Sequence, residues 1–264
     1  MLDALSNHWP EYVIEGSLLG LFMFIACAAV SFVEHPGSAL RKRLRSPIHR
    51  RALIGTLMGL TAICLIYSPT GQRSGAHMNP ATTIAYFFLG KIAATDAMCY
   101  VVSQFAGGVA GVGLARLVLD PAVSHPSVNY AVTLPGPRGS RMAWAAEFVI
   151  AYGMMTMVLM SSNREATAPY TGVFAGFLLF AYITFEAPLS GMSLNPARTL
   201  ASALAAGEFR SLWVYFTAPP LAMVAAAAVY AAVAGRSEVF CAKLSHPDHG
   251  RCIFDCHINE LQPR

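Results

Sequence analysis

Two stretches of this chain share one eight-residue frame: residues 74–81 read SGAHMNPA and residues 190–197 read SGMSLNPA. Both follow the pattern Ser-Gly-x-x-x-Asn-Pro-Ala. One Asn-Pro-Ala arises easily by chance, whereas a duplicated frame of this length does not. Proline suits the first turn of a helix, where its missing N–H would have no partner, and the preceding asparagine can cap that turn. Each copy, called a box below, therefore predicts an irregular loop that turns into a helix.

The composition indicates that these loops lie in a membrane protein. Apolar residues make up 55% of the 264 residues and charged residues only 12%, about half the charged share of a soluble domain. Long stretches almost free of charge indicate membrane-spanning helices. No cleavable signal peptide is expected, because the residues before Tyr12 carry no Lys or Arg. The six predicted spans are Tyr12–Val33, Arg51–Ser68, Ala94–Leu119, Met142–Ser161, Tyr170–Ala187 and Leu212–Ala234.

The apolar stretches that follow the boxes, Ala81–Leu89 and Ala197–Ala206, are too short to cross a hydrocarbon core of about 30 Å. Irregular backbone is tolerated at membrane depth only where it lines a water-filled cavity or is buried in protein. Two half-helices that enter from opposite faces satisfy that condition. The predicted fold is therefore an all-α membrane protein, with six transmembrane helices and two re-entrant half-helices in an inverted repeat.

Over roughly residues 10 to 235, the chain resembles the aquaporins and aquaglyceroporins, the major intrinsic proteins. Besides the two boxes, the resemblance rests on Glu15 in the first predicted span, Glu147 in the fourth, and Arg198 directly after the second box. It implies that the two glutamates hold loop backbone and that Arg198 lines the narrowest point of a pore. It also implies a homotetramer with one pore per subunit.

The boxes predict how such a pore excludes ions. Two half-helices that meet at their N-termini place two positive dipole ends at the pore centre, where they repel cations. The two asparagines would donate N–H groups to a passing water, whose oxygen then cannot relay a proton. The predicted box residues are Asn79, Pro80, Ala81, Asn195, Pro196 and Ala197, and the predicted backbone carbonyl ladder comprises Gly75, Ala76, His77, Gly191, Met192 and Ser193.

By spacing from the second box, the resemblance places the selectivity filter at Arg198, Met192 and Ile183, joined by Met58 or, alternatively, Gly59 of the second span. Strict water channels of the family usually carry Phe and His at the second-helix and fifth-helix positions. Isoleucine in place of histidine removes a donor and leaves a more apolar mouth.

Other markers of the family favour water. Aquaglyceroporins usually have Asp and a basic residue where this chain has Thr199 and Ala203, and Pro-Leu where it has Tyr215-Phe216. The resemblance therefore implies a passive channel for water and small neutral solutes that excludes protons and ions. The alternatives are a facilitator of glycerol or other small neutral solutes, a channel gated by metal, and a non-conducting protein of the same fold.

The sequence divides into a channel domain, residues 1–235, with repeats at about 10–119 and 141–234, and a polar tail, residues 236–264. The tail concentrates cysteine and histidine, including His249 and His257. Cys241, His246, Cys252 and Cys256 form a chemically reasonable tetrahedral zinc set, although their spacing fits no standard finger. The alternatives are a disordered tail with incidental thiols, or a disulfide in an oxidising space. Permeation itself needs no cofactor.

The orientation in the membrane presents a conflict. The first connection holds Arg41, Lys42, Arg43, Arg45, Arg50 and Arg51. The positive-inside rule places such a loop in the cytoplasm, whereas the family topology places both termini there and this loop outside. We favour the family topology, with the basic cluster near anionic lipid headgroups. The compact loops favour a bacterial inner membrane. The sequence contains no set of residues typical of an enzyme active site. Apart from the basic cluster, nothing in it supports nucleic-acid binding.

Overall fold

The structure is a computed structural model that describes residues 2–246 and 251–260. His249, one of the histidines of the polar tail, lies outside the described residues. Those residues form eleven α-helices: α1 Leu2–Glu34, α2 Ala39–Arg43, α3 Pro47–Tyr67, α4 Pro69–Ser74, α5 Pro80–Phe88, α6 Ala94–Leu119, α7 Gly139–Ser162, α8 Thr171–Ala181, α9 Ala187–Ser190, α10 Pro196–Ala206 and α11 Leu212–Val233.

Six helical stretches in the described part of the chain are long and apolar enough to cross a membrane, which confirms the predicted number of spans. The helix α6 has the predicted limits, whereas α1 begins at Leu2, well before the predicted Tyr12. The fifth span is not uniform, because a π-helical turn, Tyr182–Glu186, joins α8 to α9. Such a turn is wider than an α-helical turn and commonly marks a functional position.

The two half-helices α5 and α10 begin at the prolines of the two boxes. Asn79 caps α5, since its side-chain oxygen accepts the N–H of Ala81 at 2.9 Å. Asn195 caps α10 in the same way, accepting the N–H groups of Ala197 at 3.0 Å and Arg198 at 3.2 Å. Both loops therefore turn into helices as the Asn-Pro pairs predict.

Glycines bring α1 and α6 into close contact. A Cβ atom on Gly107 would lie 1.9 Å from the carbonyl oxygen of Gly16, and one on Gly111 would lie 2.0 Å from that of Gly20. Contact at this distance is possible only between glycine backbones, and small residues at four-residue spacing are typical of helix crossings in membranes. This crossing fixes α1, and with it Glu15, against the rest of the first repeat.

Part of the basic first connection serves the fold itself. Glu34 at the end of α1 forms ion pairs with Arg41 at 2.6 Å and Arg50 at 2.9 Å. The buried guanidinium of Arg50 also donates to the carbonyl oxygens of Leu44 and Arg45, each at 2.8 Å. These contacts use two of the positive charges that the positive-inside rule counts. The rule counts Lys and Arg and is not a net-charge rule, so this pairing leaves the conflict over membrane orientation as it was.

Candidate functional site

The two boxes contact one another at the centre of the molecule. The side-chain amide of Asn79 donates to the carbonyl oxygen of Leu194 at 2.8 Å, and that of Asn195 donates to the carbonyl oxygen of Met78 at 2.7 Å. Each amide nitrogen carries two hydrogens, and this contact uses one of them. Both asparagines line a cavity of about 120 Å3, called the central cavity below. The N-termini of α5 and α10 therefore meet beside one cavity.

The loop before each box adopts an unusual backbone conformation. Ala76 and Met78 have positive φ angles of 55° and 48°, and Met192 and Leu194 have φ angles of 53° and 60°. Non-glycine residues pay on the order of 1–2 kcal/mol for this left-handed region. Such residues persist where surrounding contacts determine the conformation. In both loops those contacts come from a buried glutamate.

Glu15 of α1 holds the first loop. One carboxylate oxygen accepts the N–H of His77 at 3.0 Å and the hydroxyl of Ser74 at 2.8 Å, and the other accepts the N–H of Met78 at 2.7 Å. Gln104 of α6 also donates to this carboxylate at 3.0 Å. The buried charge is thus surrounded by donors, which compensates for its removal from water.

Glu147 of α7 makes the same contacts in the second loop. Its oxygens accept the N–H of Ser193 at 2.6 Å, the N–H of Leu194 at 2.7 Å and the hydroxyl of Ser190 at 2.7 Å. The structure therefore places each of the two predicted glutamates against loop backbone, one glutamate to each loop. The equivalence of the two sets of contacts is what an inverted repeat requires.

A second cavity, of about 300 Å3, adjoins the second loop and is called the outer cavity below. Its wall includes the four residues predicted for the filter: Met58, Ile183, Met192 and Arg198. The alternative Gly59 lies elsewhere, because a Cβ atom there would be 2.5 Å from the carbonyl oxygen of Gly176. Gly59 therefore faces α8 at a helix contact.

Arg198 lies where the two cavities adjoin and contributes to both walls. Its Nη1 atom is buried and has no hydrogen-bond partner among the described residues. An unpaired guanidinium nitrogen at membrane depth is costly unless a solute or water binds it. The arginine therefore offers a hydrogen-bond donor to whatever occupies the junction of the two cavities.

Among the wall residues that sequence reasoning missed, two are shared by both cavities. Phe22 and Leu179 each line both cavities. Phe22 follows Glu15 by seven residues, and Leu179 precedes Ile183 by four, so each lies on the same helix face as a predicted site residue. Helical spacing from those residues was the signal that could have identified them.

One predicted carbonyl differs from the expectation. Ala76 and His77 line the central cavity, and Gly191, Met192 and Ser193 line the outer cavity. Gly75 lines neither, because its carbonyl oxygen accepts the N–H of Leu244 from the tail at 3.1 Å. The Gly75 carbonyl is therefore directed to the tail and not to a solute.

The tail folds back against the first loop. Leu244 lines the central cavity together with both asparagines. The ring of His77 stacks on that of Phe254, with centroids 5.5 Å apart, and its Nε2 atom donates to the carbonyl oxygen of Ala242 at 2.8 Å. The described part of the tail is thus ordered against the channel, which contradicts the alternative of a disordered tail.

The four predicted metal ligands of the tail lie together. Cys241, His246, Cys252 and Cys256 each offer one ligand atom, and these atoms all lie within 4.8 Å of one another. Hydrogen bonds from the Cys241 thiol lower the pKa of Cys252 and of Cys256 below the ordinary thiol value. This Cys/His cluster is therefore a set of residues that can hold a metal ion.

Comparisons with known proteins agree with this geometry. The family described as Major intrinsic protein matches residues 6–230. Aquaporin NIP3-1 of Oryza sativa subsp. japonica is 34% identical over 221 residues, which cover 83% of this chain and 66% of the relative. Nodulin-26 of Glycine max is 30% identical over 179 residues, which cover 67% of this chain and 64% of the relative. The chain therefore spans about two thirds of the length of these relatives.

A solved structure shares the fold. The X-ray structure of the aquaglyceroporin from Plasmodium falciparum matches with a TM-score of 0.72 at 19% identity, covering 88% of this chain and 99% of that one. At this identity the likeness concerns the fold alone. The chain is an integral membrane protein. A bacterial inner membrane and cytoplasmic termini stay predictions, since the two relatives named above are plant proteins.

Proposed function

We propose that water is the principal solute of this chain, which belongs to the major intrinsic protein family and is therefore a membrane channel of the aquaporin and aquaglyceroporin type, not an enzyme. The main support is the meeting of the two boxes beside the central cavity. Asn79 and Asn195 line that cavity and each keeps one amide hydrogen beyond the contact between the boxes. Two neighbouring donors suit the oxygen of a single water molecule.

This arrangement would exclude ions and protons by one mechanism. The N-termini of α5 and α10 each contribute about half a positive charge, which opposes the entry of cations. A water whose oxygen accepts from both asparagines directs its hydrogens away from them. It cannot also accept a hydrogen bond along the file, so proton relay stops there.

A second candidate, the transport of small neutral solutes such as glycerol, is favoured by the wall of the outer cavity. Met58, Ile183 and Met192 supply apolar surface there, and Arg198 supplies a donor. A polyol could place its C–H groups against the apolar side and a hydroxyl on the guanidinium. We therefore propose water as the main solute and small polyols as accompanying solutes.

The remaining expectations concern the surroundings of the channel. We propose that it works in a lipid bilayer as a homotetramer with one pore per subunit, as its family resemblance implies. Chemical cross-linking of the purified protein would test the tetramer by its largest product. Permeation by the proposed route needs no cofactor, so zinc bound by the tail would serve another purpose.

The proposal is tested by stopped-flow light scattering on proteoliposomes. Shrinkage in a sucrose gradient reports water, and re-swelling in glycerol reports the polyol. Both are measured for the wild type and for Leu244→Ala, which removes the one tail side chain found in the wall of the central cavity among the described residues. We expect fast shrinkage with a low activation energy in Leu244→Ala. Rates equal to those of empty liposomes in both proteins would overturn the proposed function.

The role of Arg198 is tested in the Leu244→Ala background. Removing the guanidinium in Arg198→Ala widens the junction of the cavities, so glycerol re-swelling should become faster relative to water. The matched control is Leu204→Ala, which truncates an exposed side chain on the same half-helix. Equal glycerol-to-water ratios in the two variants would argue against a filter at Arg198.

A further inference from the structure

We propose that Cys241, His246, Cys252 and Cys256 bind one zinc ion, and that the zinc-bound tail caps the pore next to the first box, so that metal supply regulates permeability. The zinc site stands on the tail alone. The cap rests on the proposed function, because it presumes that the central cavity is part of a conducting route.

The distances between the ligand atoms fit a tetrahedral ion. Zinc bound to thiolates at about 2.3 Å and to imidazole at about 2.0 Å separates its ligand atoms by roughly 3.5–3.8 Å. The Cys241 and Cys252 sulfurs lie 3.6 Å apart, and the Cys256 sulfur lies 3.3 Å from Nε2 of His246. All four ligand atoms lie within 4.8 Å of one another, so a small expansion of the second pair and a contraction of the longer separations would accommodate the ion.

The ligand types select the metal. Three thiolates and one imidazole form a Cys3His set, which is typical of closed structural zinc sites, whereas calcium and magnesium require oxygen ligands. Cys241 is buried and its three partners are half-buried. Four ligands from one short segment fill the coordination sphere, so this ion would hold a structure together and would not bind a substrate.

The tail needs such a crosslink because it forms little structure of its own. Its described residues contain only two 3-10 turns, Arg236–Glu238 and Ile258–Glu260. Two arms carry the ligands: Cys241 and His246 lie on one, and Cys252 and Cys256 on the other. Segments this short seldom bury enough apolar surface to fold unaided, and metal binding can supply the missing free energy of folding.

The first arm carries docking contacts directly beside its ligands. Ala242 follows Cys241, and its carbonyl oxygen accepts from His77 of the first loop. Two residues later the N–H of Leu244 donates to the carbonyl oxygen of Gly75. Backbone shape at this arm therefore decides whether the tail can bind the loop that precedes the first box.

The second arm docks on the connection between α5 and α6. The N–H of Asp255 donates to the carbonyl oxygen of Lys91 at 3.1 Å, and the buried Lys91 ammonium returns a bond to the Asp255 carboxylate at 3.0 Å. Lys243 joins the arms by donating to the carbonyl oxygen of Arg251 at 2.9 Å. Loss of the ion would separate the arms and loosen both docking surfaces together.

The docked tail closes one end of the candidate route. Leu244 lines the central cavity beside His77 of the first loop, whereas the outer cavity adjoins the second loop. Because the two loops enter from opposite ends of the route, the leucine covers the end that lies away from the outer cavity. A solute that leaves by this end must displace an apolar side chain that is only 8% exposed.

Metal content tests the zinc site. The full chain, purified in detergent under reducing conditions with zinc supplied, should contain one zinc per chain by elemental mass spectrometry. Cys252→Ser should lose the metal, and Cys64→Ser, at an exposed cysteine of a span, should retain it. Absence of zinc from the wild type, or a Cys241–Cys252 disulfide found by thiol titration and peptide mapping in its place, would overturn the site.

Limited trypsin digestion tests docking without any need for permeation. Lys243 is 3% exposed, so cleavage after it should be slow in the zinc-bound wild type and severalfold faster after chelation. The readout works on wild-type protein and does not depend on whether a cysteine variant folds. Cleavage at the same rate with and without chelator would overturn the coupling between metal and docking.

Permeability tests the cap. Chelation should raise the water permeability of wild-type proteoliposomes severalfold and leave Leu244→Ala, which keeps all four ligands, unchanged and high. Wild type that loses zinc with no change in permeability, while Leu244→Ala conducts at the same rate, would overturn the cap. If neither protein conducts after chelation, the proposed function and the cap both fail, and the metal and trypsin measurements still decide the zinc site.

Discussion

Tyr100 and Tyr215 make the same hydrogen bond in the two halves of the chain. The phenol of Tyr100 donates to the carbonyl oxygen of Ser74 at 2.7 Å, and that of Tyr215 donates to the carbonyl oxygen of Ser190 at 2.6 Å. Both tyrosines are fully buried, and the two serines begin the two eight-residue frames. The third and sixth spans therefore hold the same two loops that the glutamates hold.

Removing either phenol should destabilise the protein. Tyr100→Phe and Tyr215→Phe each leave a buried carbonyl without this donor, at a cost of about 1–3 kcal/mol. We expect a lower midpoint of thermal unfolding in detergent, measured by a thiol-reactive or intrinsic-fluorescence assay. Tyr170→Phe, at a tyrosine that is 55% exposed, should unfold at the wild-type temperature. Equal midpoints for all three variants would contradict the prediction.

The contact between α1 and α6 predicts opposite effects for two glycines of one helix. Gly107→Ala places a methyl group 1.9 Å from the carbonyl oxygen of Gly16, so the helices must move apart at a cost of about 1–3 kcal/mol or more. Gly113→Ala meets nothing within 4 Å and should raise stability slightly, because alanine favours helix. Thermal unfolding of both variants is the measurement. A Gly107→Ala protein as stable as Gly113→Ala would refute the close crossing.

The identity of residue 183 should tune the choice of solute. In the Leu244→Ala background, Ile183→His adds a donor and bulk to the wall of the outer cavity, so glycerol permeation should fall severalfold while water permeation is retained. Phe185→His introduces the same side chain at a neighbouring position that is 66% exposed, and should change neither rate. The measurement is the ratio of glycerol to water permeability of each variant, taken from paired mixing experiments with glycerol and sucrose. A loss of glycerol flux in both variants would point to a general perturbation.

At the two buried glutamates, we expect folding to depend on the carboxylate charge, so that even the similarly sized glutamine is a poor replacement. Glu147→Gln replaces one accepting oxygen with an N–H2 group that faces backbone donors, and should cost at least about 1–3 kcal/mol. Glu15→Gln should behave alike, since its carboxylate accepts from two loop N–H groups. We expect reduced yield of folded protein, measured as the monodisperse fraction in size-exclusion chromatography. The control is Glu165→Gln, on an exposed connection. If Glu165→Gln gives a yield as low as Glu15→Gln and Glu147→Gln, the prediction is wrong.

Much of the fold followed from local patterns. The apolar lengths predicted six spans, and the Asn-Pro pairs predicted two short helices with asparagine caps, because both features depend on residues close together in sequence. The π-helical turn Tyr182–Glu186 was not predicted. It alters the helix within an uninterrupted apolar run, and hydropathy carries no signal for a single wider turn.

The tail shows why the rest could not be predicted. Its ligand set was recognised from residue types, but its position against the first loop depends on long-range contacts such as Ala242 with His77 and Asp255 with Lys91. Residues without periodicity give no indication of what they pack against. The apolar residues of this mostly polar segment, such as Val239, Leu244 and Phe254, were the available sign that some of it is buried.

The crossed bonds between the boxes impose an order on biosynthesis. Asn79 reaches its final partner, Leu194, only after 115 further residues have been made. When the first repeat leaves the translocation machinery, its half-helix has a cap but lacks the backbone acceptor that the second repeat supplies. Until the second half of the chain is inserted, the first loop is held by the hydrogen bonds that its N–H groups donate to Glu15.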